Sequence, residues 1–510
     1  MGIESINPAT LEKLGEVRVH SEVEVMRFAA EAREAQKKWR RLPVRERAAK
    51  VASISRHVAD HLEEIATLIS KEVGKPPDEA FVSELYTSLD AILHYYATAE
   101  DVLNAREEIN LGFYEALKKK SHVFYKPWGL VAVIGPYNYP FVIPLEQIVQ
   151  ALIAGNAVLF KPSSETVLVG RAVDEAVRSA DLPPGLFRTV FGRGSDVGNV
   201  LVDEADHIVF TGSTETGKKI MERAARTLTK VSLELGGKSA MVVFPDANLE
   251  RAARAAVWGA FSNSGQVCAS VKRLYLHVDV YDQFLDGLVE LTRRLKQGDP
   301  LAPGTDVGAM VNLEQLKIVD EKVRNARQQG ARVLCGGRRN PLLKGYFYEP
   351  TILDGVDNKS LIVQEEIFGP VLVVVPFESE EQVIALVNDN PYGLTASVWT
   401  RDLEKGERVA QEIDAGTVMV NEVVYTFALA ATPWGGTKAS GVGRTHGRLG
   451  FLSMVQPVHV HVDSSEEPDL WWMPYDEEFK NVVENFKRIA KALVVKPTGG
   501  REREGEQSSE

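Results

Sequence analysis

Cysteine is scarce in this chain: its 510 residues contain two, Cys268 and Cys335. Two thiols are too few for a disulfide framework, so the fold must rest on a hydrophobic core, and a reducing compartment suits it. Basic residues are in deficit as well, 59 Lys and Arg against 71 Asp and Glu, for a net charge of −12. The one basic tract, Lys118-Lys119-Lys120, is too short to form an electropositive face, which argues against a nucleic-acid partner. An unbroken membrane span is missing too. Residues 127–160 carry Glu146 as their sole charge, but Pro127, Gly129, Gly135, Pro136, Pro140 and Pro144 would break a spanning helix repeatedly. The N-terminus shows no basic stretch followed by an apolar one, so no secretory signal is read and cytoplasmic residence is the expectation. What is present is ordinary globular usage, 44% hydrophobic and 25% charged, over a length that predicts two or more domains.

Helix and strand patterns alternate along most of the chain, the mark of βαβ units on a largely parallel sheet, hence an α/β fold. Leu130-Val-Ala-Val-Ile134 reads as a buried strand ended by Gly135-Pro136, followed by a helix over about 145–154 that Gly155-Asn156 closes. Ala157-Val-Leu-Phe160 reads as the next strand, and the loop from Lys161 leaves its C-terminal end, where such sheets bind ligands. His207-Ile-Val-Phe210 repeats the pattern, with a helix running to about residue 229. A second α/β block begins near Lys238, with strands near 274–278 and 371–377.

Four segments carry candidate chemistry. Gly212-Ser213-Thr-Glu-Thr-Gly217-Lys-Lys219 follows a strand and opens a helix, where backbone amides and the helix dipole can cradle a phosphate. It nearly matches a P-loop NTPase motif, but Lys219 replaces the hydroxyl residue that would hold magnesium. A plain turn, a dinucleotide cradle and an NTPase loop all stay open on this segment alone. Cys268 sits among small polar neighbours in Ser-Asn-Ser-Gly-Gln-Val-Cys-Ala-Ser, accessible as a nucleophile, whereas Cys335 follows an apolar run and reads as packing. Glu234, in Leu-Glu-Leu-Gly-Gly-Lys, is a carboxylate in an apolar run; desolvation should raise its pKa, as a general base near neutral pH requires. Asn138, in Pro-Tyr-Asn-Tyr-Pro, is an amide fixed between prolines just past a strand and can donate to an oxyanion, although turn chemistry alone also explains it. His277, the histidine close to Cys268 in sequence, reads as a strand residue.

Together these segments resemble the aldehyde dehydrogenase superfamily from about Asn7 to His461. The order is Pro-Tyr-Asn138-Tyr-Pro, Lys161-Pro-Ser, Phe210-Thr-Gly-Ser-Thr-Glu-Thr-Gly217, Glu234-Leu-Gly-Gly-Lys, Gly265-Gln-Val-Cys268, Glu365-Glu366-Ile-Phe368-Gly-Pro, Asn390-Pro-Tyr-Gly-Leu and Pro433-Trp-Gly-Gly-Thr-Lys-Ala-Ser-Gly441. Any one motif is weak; eight in family order are specific. The resemblance implies a Rossmann-like coenzyme domain (1–237, interrupted by bridging strands at about 108–126) and a catalytic α/β domain (238–440). A return segment and bridging strand (441–463) would complete a small β bridging element by pairing 120–126 with 455–462. An extension with an amphipathic helix (464–498) and a disordered tail (499–510) would follow. The helix, read over about 476–494, suits packing on its own or a partner subunit, or else contact with a membrane surface or substrate gating.

The resemblance also implies roles. Cys268 would attack the aldehyde, Asn138 and the Cys268 backbone N–H would hold the oxyanion, and Glu234 would activate water to release a carboxylic acid. Lys161 and Glu366 would hold ribose hydroxyls of NAD or NADP, Gly212, Ser213 and Gly217 would form the pyrophosphate turn, and Phe368 would pack near the nicotinamide ribose. Ser164 stands where many relatives carry a glutamate that repels a 2′-phosphate, so NADP should be accepted at least as readily as NAD; Glu165, one residue on, complicates that reading. A second carboxylate usual in the late Gly-x-Gly-Arg segment is replaced by Thr445-His446, leaving Glu234 to serve alone. Counterparts of pocket positions, Tyr139, Ile143, Val267, Ala269, Tyr425 and Phe427, are mostly apolar and imply an aliphatic or aromatic aldehyde. A CoA-acylating relative typically lacks the glutamate, so Glu234 favours hydrolysis. A homodimer or homotetramer is implied. His459 and His461 share one strand face, but two ligands make an incomplete metal site, so no metal is expected.

Overall fold

The computed structural model describes residues 2–469 and 471–493, so the tail expected at 499–510 lies outside the described residues. The chain divides into two units, one of 1–105 with 125–457 and the other of 106–124 with 458–510.

The first unit holds two large sheets. One has six strands in the order Gly441–Val442, Lys230–Glu234, His207–Thr211, Leu130–Ile134, Ala157–Lys161 and Phe187–Thr189. Its pairings are parallel except for Gly441–Val442, which runs antiparallel with Gly441 opposite Glu234. The three central strands are buried at every position, which is why they read as continuous apolar runs: helices cover a parallel sheet on both faces. The register aligns Ile134 with Lys161 and with Phe210, and Thr211 with Glu234. Candidate residues from separate motifs therefore emerge along one carboxyl edge.

The second sheet has seven strands, Arg332–Cys335, Thr351–Asp354, Val371–Phe377, Arg273–His277, Ala240–Val243, Thr395–Trp399 and Thr417–Val420, parallel except at the Arg332–Cys335 edge. Its central strands carry the apolar runs near 274 and 371 that the sequence pattern picks out.

Two helix boundaries differ from expectation. The helix after Leu130–Ile134 spans Val142–Ile153, starting ahead of Pro144. A first-turn proline removes an N–H that would have had no intrahelical acceptor, so it does not delay the start. The helix expected to reach about 229 is Thr214–Ala224. Leu228 takes a left-handed φ of 56°, ending the segment in a turn.

The other unit is built on a three-stranded sheet, Val455–Asp463, Lys119–Pro127 and Glu107–Ile109, with Lys119–Pro127 central. The expected pairing of 120–126 with 455–462 is present, with one further strand. Lys119 Nζ holds it laterally, reaching Asp463 at 2.5 Å and Asp469 at 2.7 Å. Ser121 Oγ lies between the two strand histidines, 3.0 Å from His459 Nε2 and 2.8 Å from His461 Nδ1. The amphipathic segment is a helix, Glu477–Ala492, capped by the Asp476 carboxylate, which accepts from the Glu478 and Phe479 N–H groups. No helix of the described residues is long and apolar enough to cross a membrane.

Candidate functional site

Three polypeptide turns meet at Cys268. The 3-10 turn before it, Ser262–Gly265, takes three consecutive positive φ values, 48° at Asn263, 54° at Ser264 and 68° at Gly265. Two non-glycine residues in that region cost about 1–2 kcal/mol each, which the surrounding hydrogen bonds must offset. Ser264 Oγ donates to Gly308 O, Asn263 Nδ2 to Asn138 O, and Lys272 Nζ to both Gly265 O and Gly369 O, at 2.6 to 3.0 Å. Gly265 admits no substitute, since a Cβ would lie 2.2 Å from Gly369 O. At the second turn a Cβ on Gly237 would lie 2.4 Å from Cys268 O, so the Glu234-Leu-Gly-Gly glycines let the two segments touch.

The third turn carries Asn138, whose Nδ2 donates to Gln266 O at 3.0 Å. Its support was not visible in the sequence. Lys75 and Glu84, both fully buried, form an ion pair at 2.8 Å. Lys75 Nζ also donates to Asn138 O at 2.7 Å, Glu84 Oε2 accepts from Phe141 N at 2.8 Å, and the Lys75 ammonium lies 3.8 Å over the Tyr139 ring. Lys75 follows Gly74 on the exit of one helix and Glu84 lies in a short π-helical turn; neither position shows a periodic signal of burial.

A cavity of about 690 Å³ adjoins this junction, lined by Asn138, Lys161, Ser164, Gly212, Ser213, Glu234, Cys268, Glu366 and Phe368 among others. Nine of the ten residues expected to serve catalysis or bind coenzyme thus face one space. Gly217 does not: it packs under Leu235, where a Cβ would lie 2.5 Å from Leu235 Cδ2, so this glycine serves helix-to-strand packing. Ser213 caps the helix Thr214–Ala224 by accepting from Thr216 N, and both Ser213 and Thr216 line the cavity. Glu165 turns away, its Oε2 accepting from Asn312 Nδ2 at 3.0 Å. Lys219 and Arg223 also line the cavity, Arg223 paired with Asp203.

Cys268, Glu234, Glu366 and Lys161 are shifted towards their neutral forms. Burial, with Glu234 and Glu366 adding to it, pushes the Cys268 thiol up to about 12. Burial lifts Glu234 to about 8 against the opposing pull of the Thr445 hydroxyl and Arg444. Burial also raises Glu366, whose Oε1 accepts from Gly237 N at 3.0 Å, and lowers Lys161 to about 8. Thr445 Oγ1 donates to Glu234 Oε1 at 3.3 Å, so the residue standing in place of the usual second carboxylate touches the one expected to act alone.

Beside Cys268 an apolar cluster of Val267, Ala269, Leu394 and Trp434 is joined by Tyr139, Val424 and Phe427. Glu79 lies close to Tyr139 and was missed as well. Burial lifts this carboxyl to about 7 against Lys75 and the Asn263 N–H, and its Oε1 is enclosed without a hydrogen-bond partner. Cys335 lies in the edge strand with its Sγ 3.7 Å from Pro350 O, and His277 Nε2 is 3.1 Å from Glu378 O; neither lines the cavity.

Residues 1–460 match the profile of the aldehyde dehydrogenase family, and the chain belongs to that family. It is 36% identical over 489 residues to 4,4'-diapolycopene aldehyde oxidase of Methylomonas sp, covering 95% of this chain and 90% of that one. It is 38% identical over 477 residues to aminoaldehyde dehydrogenase 2, peroxisomal, of Pisum sativum, covering 92% and 94%. The NAD+ complex of aldehyde dehydrogenase from Bacillus cereus superposes with a TM-score of 0.87 at 33% identity, over 91% of this chain and 94% of that one.

Proposed function

We propose that the protein oxidises an aldehyde to a carboxylic acid with NAD or NADP, through a thioester on Cys268. The convergence of Cys268, Glu234 and Asn138 on one cavity carries this reading. The Cys268 sulfur adds to the carbonyl carbon, and the oxyanion accepts from the Asn138 amide and the Cys268 backbone N–H. The bound nicotinamide supplies the hydride acceptor that turns this adduct into a thioester. Glu234 then takes a proton from water as its oxygen attacks the thioester carbonyl; the C–S bond breaks, the acid departs, and the proton passes from Glu234 back to the Cys268 sulfur. Glu234 supports hydrolysis over transfer to CoA.

The cavity suits a dinucleotide. Lys161 and Glu366 would hold ribose hydroxyls, the Gly212-Ser213 turn at a helix N-terminus the pyrophosphate, and Phe368 the nicotinamide ribose. Ser164 lines the cavity while Glu165 bonds Asn312, which supports acceptance of a 2′-phosphate. Cys268→Ala should abolish turnover, whereas Cys335→Ala should leave it intact; turnover by the first variant refutes the thioester route.

For the substrate, the apolar cluster at Cys268 supports an aliphatic or aromatic aldehyde. A second reading, an aldehyde with a distal amine, is favoured by the unpartnered Glu79 oxygen near Tyr139 and by relatives named for aminoaldehydes and betaine aldehyde. A panel of apolar and amine-bearing aldehydes decides between them. Glu79→Gln should raise KM for the amine class alone if that class is the substrate, and should leave every KM unchanged if it is not.

A further inference from the structure

Helix Val142–Ile153 is buried along its whole length, yet it carries a carboxylate, Glu146, only 2% exposed. A buried carboxylate without a counter-group costs several kcal/mol by about the ionic desolvation penalty. The counter-group is His446, 3% exposed, whose Nε2 lies 2.7 Å from Glu146 Oε2. Both Glu146 oxygens and His446 Nδ1 lack a hydrogen-bond partner, so the pair is held by this 2.7 Å contact and, on the imidazole side, by ring packing. Neither lines the cavity, and the proposed reaction uses neither.

The surroundings of His446 suggest what the pair does. Its neighbour Thr445 donates a hydroxyl to Glu234 and is itself tethered by a backbone bond from Thr445 N to Trp434 O, 2.9 Å. The His446 ring packs 4.7 Å from the Phe427 centroid and 6.4 Å from that of Trp434. Phe427 and Trp434 belong to the apolar cluster at Cys268. After His446, Gly447 takes a left-handed φ of 61° with Ala431 O within 2.8 Å of a Cβ position, so the turn that follows the imidazole requires glycine. One imidazole, oriented by one carboxylate, is thus coupled to the carboxylate that would activate water and to the wall of the thiol pocket.

We propose that the Glu146–His446 pair is a positioning device that holds Thr445 against Glu234, so that thioester hydrolysis depends on a carboxylate outside the cavity. The inference rests on Glu234 as the base. Its test is rapid-mixing kinetics of the full chain with coenzyme and aldehyde, separating the burst of reduced coenzyme from the later steady rate. Losing the hydrogen bond to a charged group is worth roughly a tenfold rate change. Glu146→Gln and Thr445→Val should each slow the steady rate about tenfold while the burst rate and amplitude stay near wild type. The double variant should be no slower than the slower single one, because both act through one contact. Glu146→Asp should recover part of the rate. A purely structural role would instead lower burst amplitude and steady rate together with the melting temperature, and that pattern overturns the proposal. Multiplicative losses in the double variant, or a wild-type steady rate in a folded Glu146→Gln, also overturn it. Should Glu146→Gln fail to fold, His446→Gln is read by the same criteria. Glu234→Gln separates the two ideas: normal hydrolysis in that variant refutes the base, whereas lost hydrolysis there with intact hydrolysis in Glu146→Gln refutes the pair alone.

Discussion

Glu234 offers the sharpest quantitative test, because burial holds its pKa at about 8. An acid of that pKa is about one-tenth ionised at pH 7, half ionised at pH 8 and about nine-tenths ionised at pH 9. Only the ionised form can take a proton from water, so thioester hydrolysis should quicken about fivefold from pH 7 to 8 and nearly tenfold by pH 9. Rapid mixing at each pH reads this as a rising steady rate behind the burst. Glu234→Gln should keep the burst and lose the steady rate throughout. The same group predicts a stability change of opposite sense. Its folded pKa lies above the ordinary 4.5, so the fold favours the protonated form; that stabilisation is complete below pH 4.5 and is lost as pH rises through about 8. Relative to Glu234→Gln, the wild type should lose about 4 kcal/mol between pH 5 and 9, measured by denaturant titration. A flat steady rate over pH 7–9 in an enzyme that still shows a burst, together with parallel stability profiles, would refute the reasoning.

Coenzyme choice and the support of the Asn138 turn give two more tests. Ser164→Glu should shift the ratio of kcat/KM for NADP over NAD downward by at least tenfold, since a carboxylate would meet the 2′-phosphate; an unchanged ratio would show that this position does not read the ribose substituent. Lys75→Met removes one half of a fully buried ion pair and should destabilise the fold by about 3–5 kcal/mol, read as a lower melting temperature, because Glu84 is left uncompensated. Replacing both partners, Lys75→Met with Glu84→Leu, should recover much of that loss while still weakening Asn138, whose carbonyl loses its ammonium donor.

What could be read from the sequence follows from how local each signal is. The strands Leu130–Ile134, Ala157–Lys161 and His207–Thr211 are short apolar runs ended by glycine, proline or a polar loop, and a parallel sheet buried on both faces requires that pattern. Cys268, Glu234 and Asn138 stand out because each breaks its local pattern. The contacts that were missed join residues far along the chain or outside any periodic signal. His446 meets Glu146 across about 300 residues, Thr445 meets Glu234 across 211, and the Lys75–Glu84 pair gains its meaning only from Asn138. Gly217 is the opposite case: its place in a phosphate-loop motif was clear, but the neighbour that dictates glycine there is Leu235 on the adjoining strand.

The charges around the cavity are arranged with a polarity that sequence order conceals. Glu234 and Glu366 both raise the pKa of the Cys268 thiol, whereas Lys161, Lys219 and Arg223 are the cationic residues of the same lining, with the N-terminus of the helix Thr214–Ala224 beside them. Burial has moved Glu234, Glu366 and Lys161 towards neutrality, so each would regain charge on meeting a ligand of opposite sign. An oxidised dinucleotide carries the matching pattern, a cationic ring at one end and an anionic diphosphate further along. Under the proposed function, its ring would favour the two carboxylates and its diphosphate the helix N-terminus. A positive ring there would also offset the two carboxylates that, with burial, hold the thiol near 12, favouring the thiolate once the coenzyme is in place.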